Sequence, residues 1–526
     1  MSEKRYIQVI LPLRLEWEPC YCLDGADTSA KVQIGDRVRV VFARRSYVGV
    51  VSAVDVQPDI DPKRISAVSE FLPQLPAVSA KELEFWRFIA GYYMCTIGEV
   101  YKASAAGKPQ SQVKRPRLKL PEFIAAPEVD PELSAIASSL SPEKPLLFKA
   151  LSRIDEYISV ATSCLAAGRG VLLLVPDKDS AKGLVERFSS YFGDALTEYW
   201  SDVTPARRRL AADRVRAGGP YVLLGTRSSI LLPFESLGLI IVDEEQSAFY
   251  KSDSAPRLNA RDAAVKLAGI HGVPVILGSE APSLESEYNA ASGKYTILTE
   301  TVSRKAPLLI DIAAEKRKRG MAGCISRVLA AECKKGNVAL VRGFESAEEV
   351  QASVEQLFPD DAGRFSVFSI TEAARTDLSG YSTVALLNAD ALFRPDDFRS
   401  DERAFQFIAG LTSRCSRVII QTRAPGHQLF SLKDTEPLLA ERKAFSLPPY
   451  TRLVDINLHH ERSEADAAAL SRRLRRAGFN ASDALRHFDG GLFVRITLRR
   501  DHSLAEKKQA LGQMAEGIGT PDVDPA

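Results

Sequence analysis

The residues whose types and spacing best suit chemistry are Asp243-Glu244-Glu245-Gln246, which directly follow the apolar run Leu239-Ile240-Ile241-Val242. Such a run reads as a buried strand, and carboxylates at its C-terminal end emerge together at one sheet edge. In a phosphate-hydrolysing site the first carboxylate holds Mg²⁺ and the next orients the attacking water. An acidic turn fits the same four letters. The chemistry also needs a cradle of the form G-x4-G-K-[ST], whose backbone amides approach the phosphates while its lysine neutralises them. The sequence contains none, because Gly107-Lys108 and Gly293-Lys294 lack both the preceding glycine and the following serine or threonine. Where a cradle is expected, ahead of the apolar run 171–175, the chain reads Arg153-Ile154-Asp155-Glu156-Tyr157. Asp155 and Glu156 there would repel a triphosphate.

The elements that must position these residues follow from the apolar rhythm. Short apolar runs at 171–175, 221–224, 239–242 and 273–277 alternate with helix-length amphipathic stretches at 180–192 and 260–268. Buried parallel strands with crossover helices satisfy that pattern. A second series of the same kind occupies 338–341, 383–387 and 418–420, followed by a strand at 453–458, a helix at 464–477 and a strand at 492–498. The first hundred residues instead alternate with period two at 6–11, 36–42 and 47–51, as in a small β domain, before a helix from Ala80 to Tyr93 with Leu83, Trp86, Ile89 and Ala90 on one face. Residues 108–145 carry Lys114-Arg115-Pro116-Arg117-Leu118-Lys119 and six further prolines, among them Pro127, Pro131 and Pro142, a linker composition.

The chain has 526 residues and a formal net charge of +2, which excludes a uniformly basic coat. Residues 1–120, however, hold 18 Lys/Arg against 13 Asp/Glu, so the positive field is local to the N-terminal part. The seven cysteines are scattered without a C-x-x-C pair, so neither a zinc site nor a disulfide framework is expected. With no apolar run long enough to span a bilayer, the expected setting is cytoplasmic, without membrane contact.

Gly225-Thr226-Arg227-Ser228, Leu239 through Gln246, Tyr250-Lys251, Ala255-Pro256-Arg257, Ala260-Arg261-Asp262-Ala263-Ala264 and Gly278-Ser279-Glu280-Ala281-Pro282-Ser283 occur in an order and spacing that resemble the primosomal protein N′ (PriA) family of replication-restart DNA helicases. Tyr92-Tyr93, Pro448-Pro449-Tyr450-Thr451-Arg452 and Asp522-Val523-Asp524-Pro525 extend the resemblance to both ends. It implies an α/β fold with two tandem RecA-like helicase lobes, an N-terminal small β-rich DNA-binding domain and a C-terminal α+β domain. The divisions are 1–107 (3′-DNA-binding-like), 108–145 (linker for a shortened winged-helix region), 146–302 (first lobe), 303–425 (second lobe, without a zinc module) and 426–526 (C-terminal domain).

Departures from the family pattern shape the functional expectation. Ile154, Asp155 and Glu156 stand at the Gly-Lys-Thr positions, Gln246 replaces the histidine of DEEH, and Glu280-Ala281 replace Ala-Thr. The eight zinc-binding cysteines are missing, and Pro19 and Cys20 stand where the family holds a 3′-terminal base with an aromatic-Asp pair. Asp243 and Glu244, with Arg414 and Arg417 at arginine-finger positions, are then vestigial, and no cofactor is expected. ATP and Mg²⁺ return only under the alternative of an active ATP-dependent 3′-to-5′ helicase. The main expectation is a truncated, catalytically degenerate replication-restart protein that binds forked or single-stranded DNA through Arg37, Arg39, Arg44, Arg45, Lys114, Arg115, Arg117 and Lys119, with primosome or single-strand-binding proteins as further partners. A third reading is a protein-interaction scaffold or decaying paralogue with no DNA role.

Overall fold

The computed structural model describes residues 5–23, 32–107, 133–200, 202–300, 304–393, 397–487, 489–501 and 503–525. Strands β1 (Arg5–Ile10), β2 (Cys20–Leu23), β3 (Arg37–Phe42), β4 (Arg45–Val54) and β5 (Glu70–Phe71) form an antiparallel sheet in the order β2-β1-β4-β3-β5. Its period-two pattern buries Ile7, Val9, Val38 and Val40 completely. The helix Ala80–Tyr93 starts at a capping box in which Ser79 and Glu82 satisfy each other's backbone N–H. It buries Leu83, Phe85, Trp86, Ile89 and Tyr93.

The expected first α/β series forms a seven-stranded parallel sheet: β6 (Leu146–Lys149), β7 (Gly170–Leu174), β8 (Leu196–Tyr199), β9 (Val222–Gly225), β10 (Leu237–Asp243), β11 (Val275–Ser279) and β12 (Thr296–Thr299). The order β12-β6-β11-β10-β7-β9-β8 places β6, β11 and β10 side by side, so the segments leaving their C-terminal ends meet at one edge. Helices on both faces cover the sheet, which is why β7 reads as an unbroken apolar run that is buried throughout.

In the second lobe β13 (Leu308–Asp311) precedes a small hairpin of β14 (Met321–Ala322) and β15 (Ile325–Ser326). Then β16 (Val338–Arg342), β17 (Phe365–Ser369), β18 (Thr383–Leu386) and β19 (Val418–Thr422) complete a parallel sheet in the order β13-β19-β18-β16-β17. The C-terminal segment is an antiparallel sheet, β21-β22-β20-β23, of β20 (Thr451–Leu458), β21 (Asn480–Arg486), β22 (Leu492–Arg499) and β23 (Gly519–Val523), with helices Glu464–Arg476 and Leu504–Ala515.

Motifs far apart in sequence converge where the helix Ala80–Tyr93, the first lobe and β23 meet. Lys251 Nζ lies 2.7 Å from Asp522 Oδ1 and donates to the Val523 carbonyl at 2.6 Å. Arg452 Nη1 donates to Asp524 Oδ2 at 2.8 Å, and the Tyr92 hydroxyl donates to the same oxygen at 3.2 Å. Lys508 Nζ donates to the Tyr92 carbonyl and sits 3.8 Å from its ring centroid. Burial disfavours the Asp524 carboxylate, but Arg452, Lys508 and Lys251 hold its pKa below the ordinary value. Among the described residues no helix is long and apolar enough to cross a membrane.

Candidate functional site

Three adjacent strands deliver the site. Beyond β6 the chain turns into the helix Ile154–Ala166, whose N-cap position is Arg153. The helix N-terminus, where a phosphate would be favoured, carries Asp155 and Glu156 in its own first turn. Arg153 reaches across to the end of β10: Nε donates to Asp243 Oδ1 at 2.8 Å and Nη2 to Glu244 Oε1 at 2.6 Å, while Nη1 donates to the Ala150 carbonyl at 2.6 Å. All three nitrogens are engaged, and the side chain is 5% exposed. Tyr157, one turn along, donates its hydroxyl to Asp243 Oδ1 at 2.9 Å. A Cβ on Gly278 would lie 1.7 Å from that hydroxyl, so glycine there is what lets the ring lie against β11.

Glu244 is held by more than Arg153. Gln246 Nε2 donates to its Oε2 at 2.5 Å and accepts at Oε1 from the Ser279 hydroxyl at 2.6 Å. Glu244 has φ 48°, a left-handed conformation that costs a non-glycine residue on the order of 1 kcal/mol and bends the chain out of β10. Burial would raise its pKa, but Arg153 and Arg414 hold it down to about 2. The next carboxylate is structural. Glu245 is 1% exposed and accepts from Ser283 N at 2.7 Å, from the Ser283 and Ser286 hydroxyls at 2.9 Å each, and from Arg261 Nη1 at 3.3 Å. It thereby anchors the start of the helix Leu284–Ala291.

The second lobe supplies Arg414, the last residue of the helix Ser400–Arg414. Its Nη2 lies 3.1 Å from Glu244 Oε1 and 2.8 Å from Glu280 Oε1, and its Nε donates to Glu280 Oε2 at 2.9 Å. Of the two expected finger arginines only Arg414 reaches the acidic turn. Arg417 instead pairs with Glu332 inside its own lobe. Among the described residues no group of three or more His, Cys, Asp or Glu could hold a metal ion.

In the N-terminal sheet the expected phosphate contacts separate. Arg37 is 4% exposed and donates from Nη2 to the Tyr101 hydroxyl at 2.7 Å and the Ala106 carbonyl at 2.9 Å. It serves the core, a correction to its reading as a DNA contact: a neighbouring tyrosine and a free carbonyl gave it partners inside. Arg39 is partly exposed and pairs with Glu70 at 2.7 Å. Arg44 and Arg45 are exposed at the tip of the β3–β4 hairpin, whose two loop residues, Ala43 and Arg44, both have positive φ (47° and 64°). Lys114, Arg115, Arg117 and Lys119 lie outside the described residues.

Residues 8–105, which include this hairpin, match the family model described as the 3′ DNA-binding domain (3′BD) of PriA. The replication restart protein PriA of Rickettsia prowazekii is 28% identical over 320 residues, covering 59% of this chain and 48% of that protein. Over these stretches the chain is similar to PriA. The PriA of Bacillus subtilis is 25% identical over an alignment covering 59% of this chain and 52% of its own length. That of Chlamydia trachomatis is 36% identical over 172 residues, 32% of this chain and 23% of its own. The chain spans about half the length of the PriA relatives it matches. Among solved structures, RecG bound to a three-way DNA junction aligns with 70% of this chain and 53% of its own at 14% identity and a TM-score of 0.38.

Sequence reasoning missed Arg153, Tyr157 and Glu280 as members of the cluster. The signal was present in charge alone: Arg153 precedes the acidic pair Asp155-Glu156 where a cradle was expected, and Glu280 and Arg414 carry opposite charges.

Proposed function

We propose that this chain is a PriA-like replication-restart protein that binds forked or single-stranded DNA in the cytoplasm and whose lobes no longer hydrolyse ATP. The observation that carries the proposal is the Arg153 guanidinium bonded to both Asp243 and Glu244. In a working site those carboxylates face Mg²⁺ and water while a lysine faces the phosphates. Here an internal cation already neutralises the carboxylates from the position where the cradle would begin. A magnesium nucleotide does not fit that donor set: each Arg153 nitrogen already donates to a protein oxygen, both oxygens of Glu244 already accept, and Glu156 meets any approaching phosphate with like charge.

DNA binding is supported by the match of residues 8–105 to a 3′ DNA-binding domain and by the exposed cations at the β3–β4 tip. Primosome or single-strand-binding proteins are further candidate partners. Fluorescence anisotropy with forked, single-stranded and duplex DNA tests the reading. Forked or single-stranded DNA should bind better than duplex, with affinity falling as salt rises. Arg44→Ala with Arg45→Ala should weaken binding and flatten log Kd against log salt by roughly 0.7–0.9 for each phosphate no longer neutralised. Binding at background level at low salt would refute it.

A further inference from the structure

The ion pairs that fill the cleft also tie the two lobes together, and they do so along its whole length. At the centre Arg414 of the second lobe grips Glu244 and Glu280 of the first. Gly410, one turn back on the same helix, has no side chain, and a Cβ there would come within 2.8 Å of Glu280 Oε1, so the helix approaches closely. To one side Arg399 Nη2 meets Glu285 Oε1 at 2.9 Å, Glu402 Oε1 accepts from Leu284 N at 2.9 Å, and Gln406 Nε2 donates to the Pro282 carbonyl at 3.2 Å. To the other side Arg375 stacks over Phe249 at 4.4 Å and lies 3.8 Å from Asp177.

We infer that Arg414, with Glu244 and Glu280, is an interlobe latch that keeps the two lobes closed on each other without any nucleotide between them. Arg414 is partly open to solvent, but Glu280 is only 5% exposed. Moving Arg414 away would leave the buried Glu280 charge uncompensated, so the cluster favours one arrangement over a range of partly open ones. Glu402 reinforces it from behind, because its second oxygen accepts from Arg442 at 2.9 Å, a buried arginine of the helix Glu436–Ala444. The charges on opposite faces of the cleft are therefore matched by the protein itself, where a nucleotide-driven pair of lobes would leave them to be matched by phosphate and metal. The inference rests on the proposed absence of a working nucleotide in this cleft.

The interlobe distance in the full chain is the direct readout, measured by energy transfer between dyes on non-natural residues at the exposed positions 189 and 356, one in each lobe. The wild type should give one narrow distance without nucleotide, unchanged by a non-hydrolysable ATP analogue with Mg²⁺. Arg414→Ala should give a longer mean and a broad distribution. Glu280→Gln, which keeps the shape and removes one charge, should shift the distance in the same direction by less. Circular dichroism identifies any variant that fails to fold, and the other then decides. A wild-type distance that is broad or contracts on adding nucleotide overturns the latch, as does a wild-type distance in both folded variants. Loss of DNA binding with the distance still narrow would sink the proposed function and leave the latch standing. An open wild type that still binds DNA would do the reverse.

Discussion

Arg153 is the residue on which the candidate site turns, because it converts two carboxylates suited to a metal into members of a closed ion cluster. Replacing it with alanine leaves Asp243 and Glu244 without their nearest counter-charge, which should cost about 3–5 kcal/mol in chemical denaturation and should not create turnover. Glu244 gives a second handle. Its pKa is depressed from the ordinary 4.5 to about 2, so the folded state binds fewer protons than the unfolded chain between those values. The stability it contributes is complete above about pH 4.5 and is lost as pH falls through about 2. The slope of urea midpoint against pH in that window should be reduced in Glu244→Gln, and an unchanged slope would show that other carboxylates account for the acid loss. The acidic turn itself was legible from four letters after an apolar run. Its partners were not, because a guanidinium reaching from Arg153 across β11 to β10 depends on strand order, which sequence alone does not reveal.

At the scale of elements the hairpin between β3 and β4 is under local tension. A two-residue loop with both φ values positive is usually Asn-Gly, and here it is Ala43-Arg44. Ala43→Asn with Arg44→Gly should therefore raise stability by about 1–2 kcal/mol while weakening DNA binding, since the same change removes an exposed cation. A thermal melt and an anisotropy titration on one variant would separate the two effects, and a variant that gained both stability and affinity would contradict the role given to the tip. Regular elements were readable where periodicity is strong: the helix Ala80–Tyr93 and the strands around 171, 239 and 418 lie where the apolar pattern puts them. Arg37 was misread because alternation assigns a strand residue to a face without revealing that Tyr101 and Ala106, from elsewhere in the chain, bury that face.

Across the whole molecule, the motifs that resembled PriA divide into two groups. Those at 243–246 and 278–283 line the cleft, whereas Tyr92-Tyr93, Lys251, Arg452 and Asp522 to Pro525 knit the N-terminal helix, the first lobe and the C-terminal sheet into one junction. No spacing rule could have grouped residues separated by more than 400 positions; only the folded contacts do. Asp524→Ala should leave Arg452 and Lys508 uncompensated, cost about 3–5 kcal/mol and speed hydrogen exchange in the helix Ala80–Tyr93. Unchanged exchange there would mean that the junction is held by packing alone. The central claim, that an internal arginine has replaced nucleotide chemistry in the cleft, is tested most directly by phosphate release from Mg-ATP in the presence of saturating forked DNA. The account predicts no release above the DNA-free background, and turnover that disappears in Asp243→Ala would contradict it.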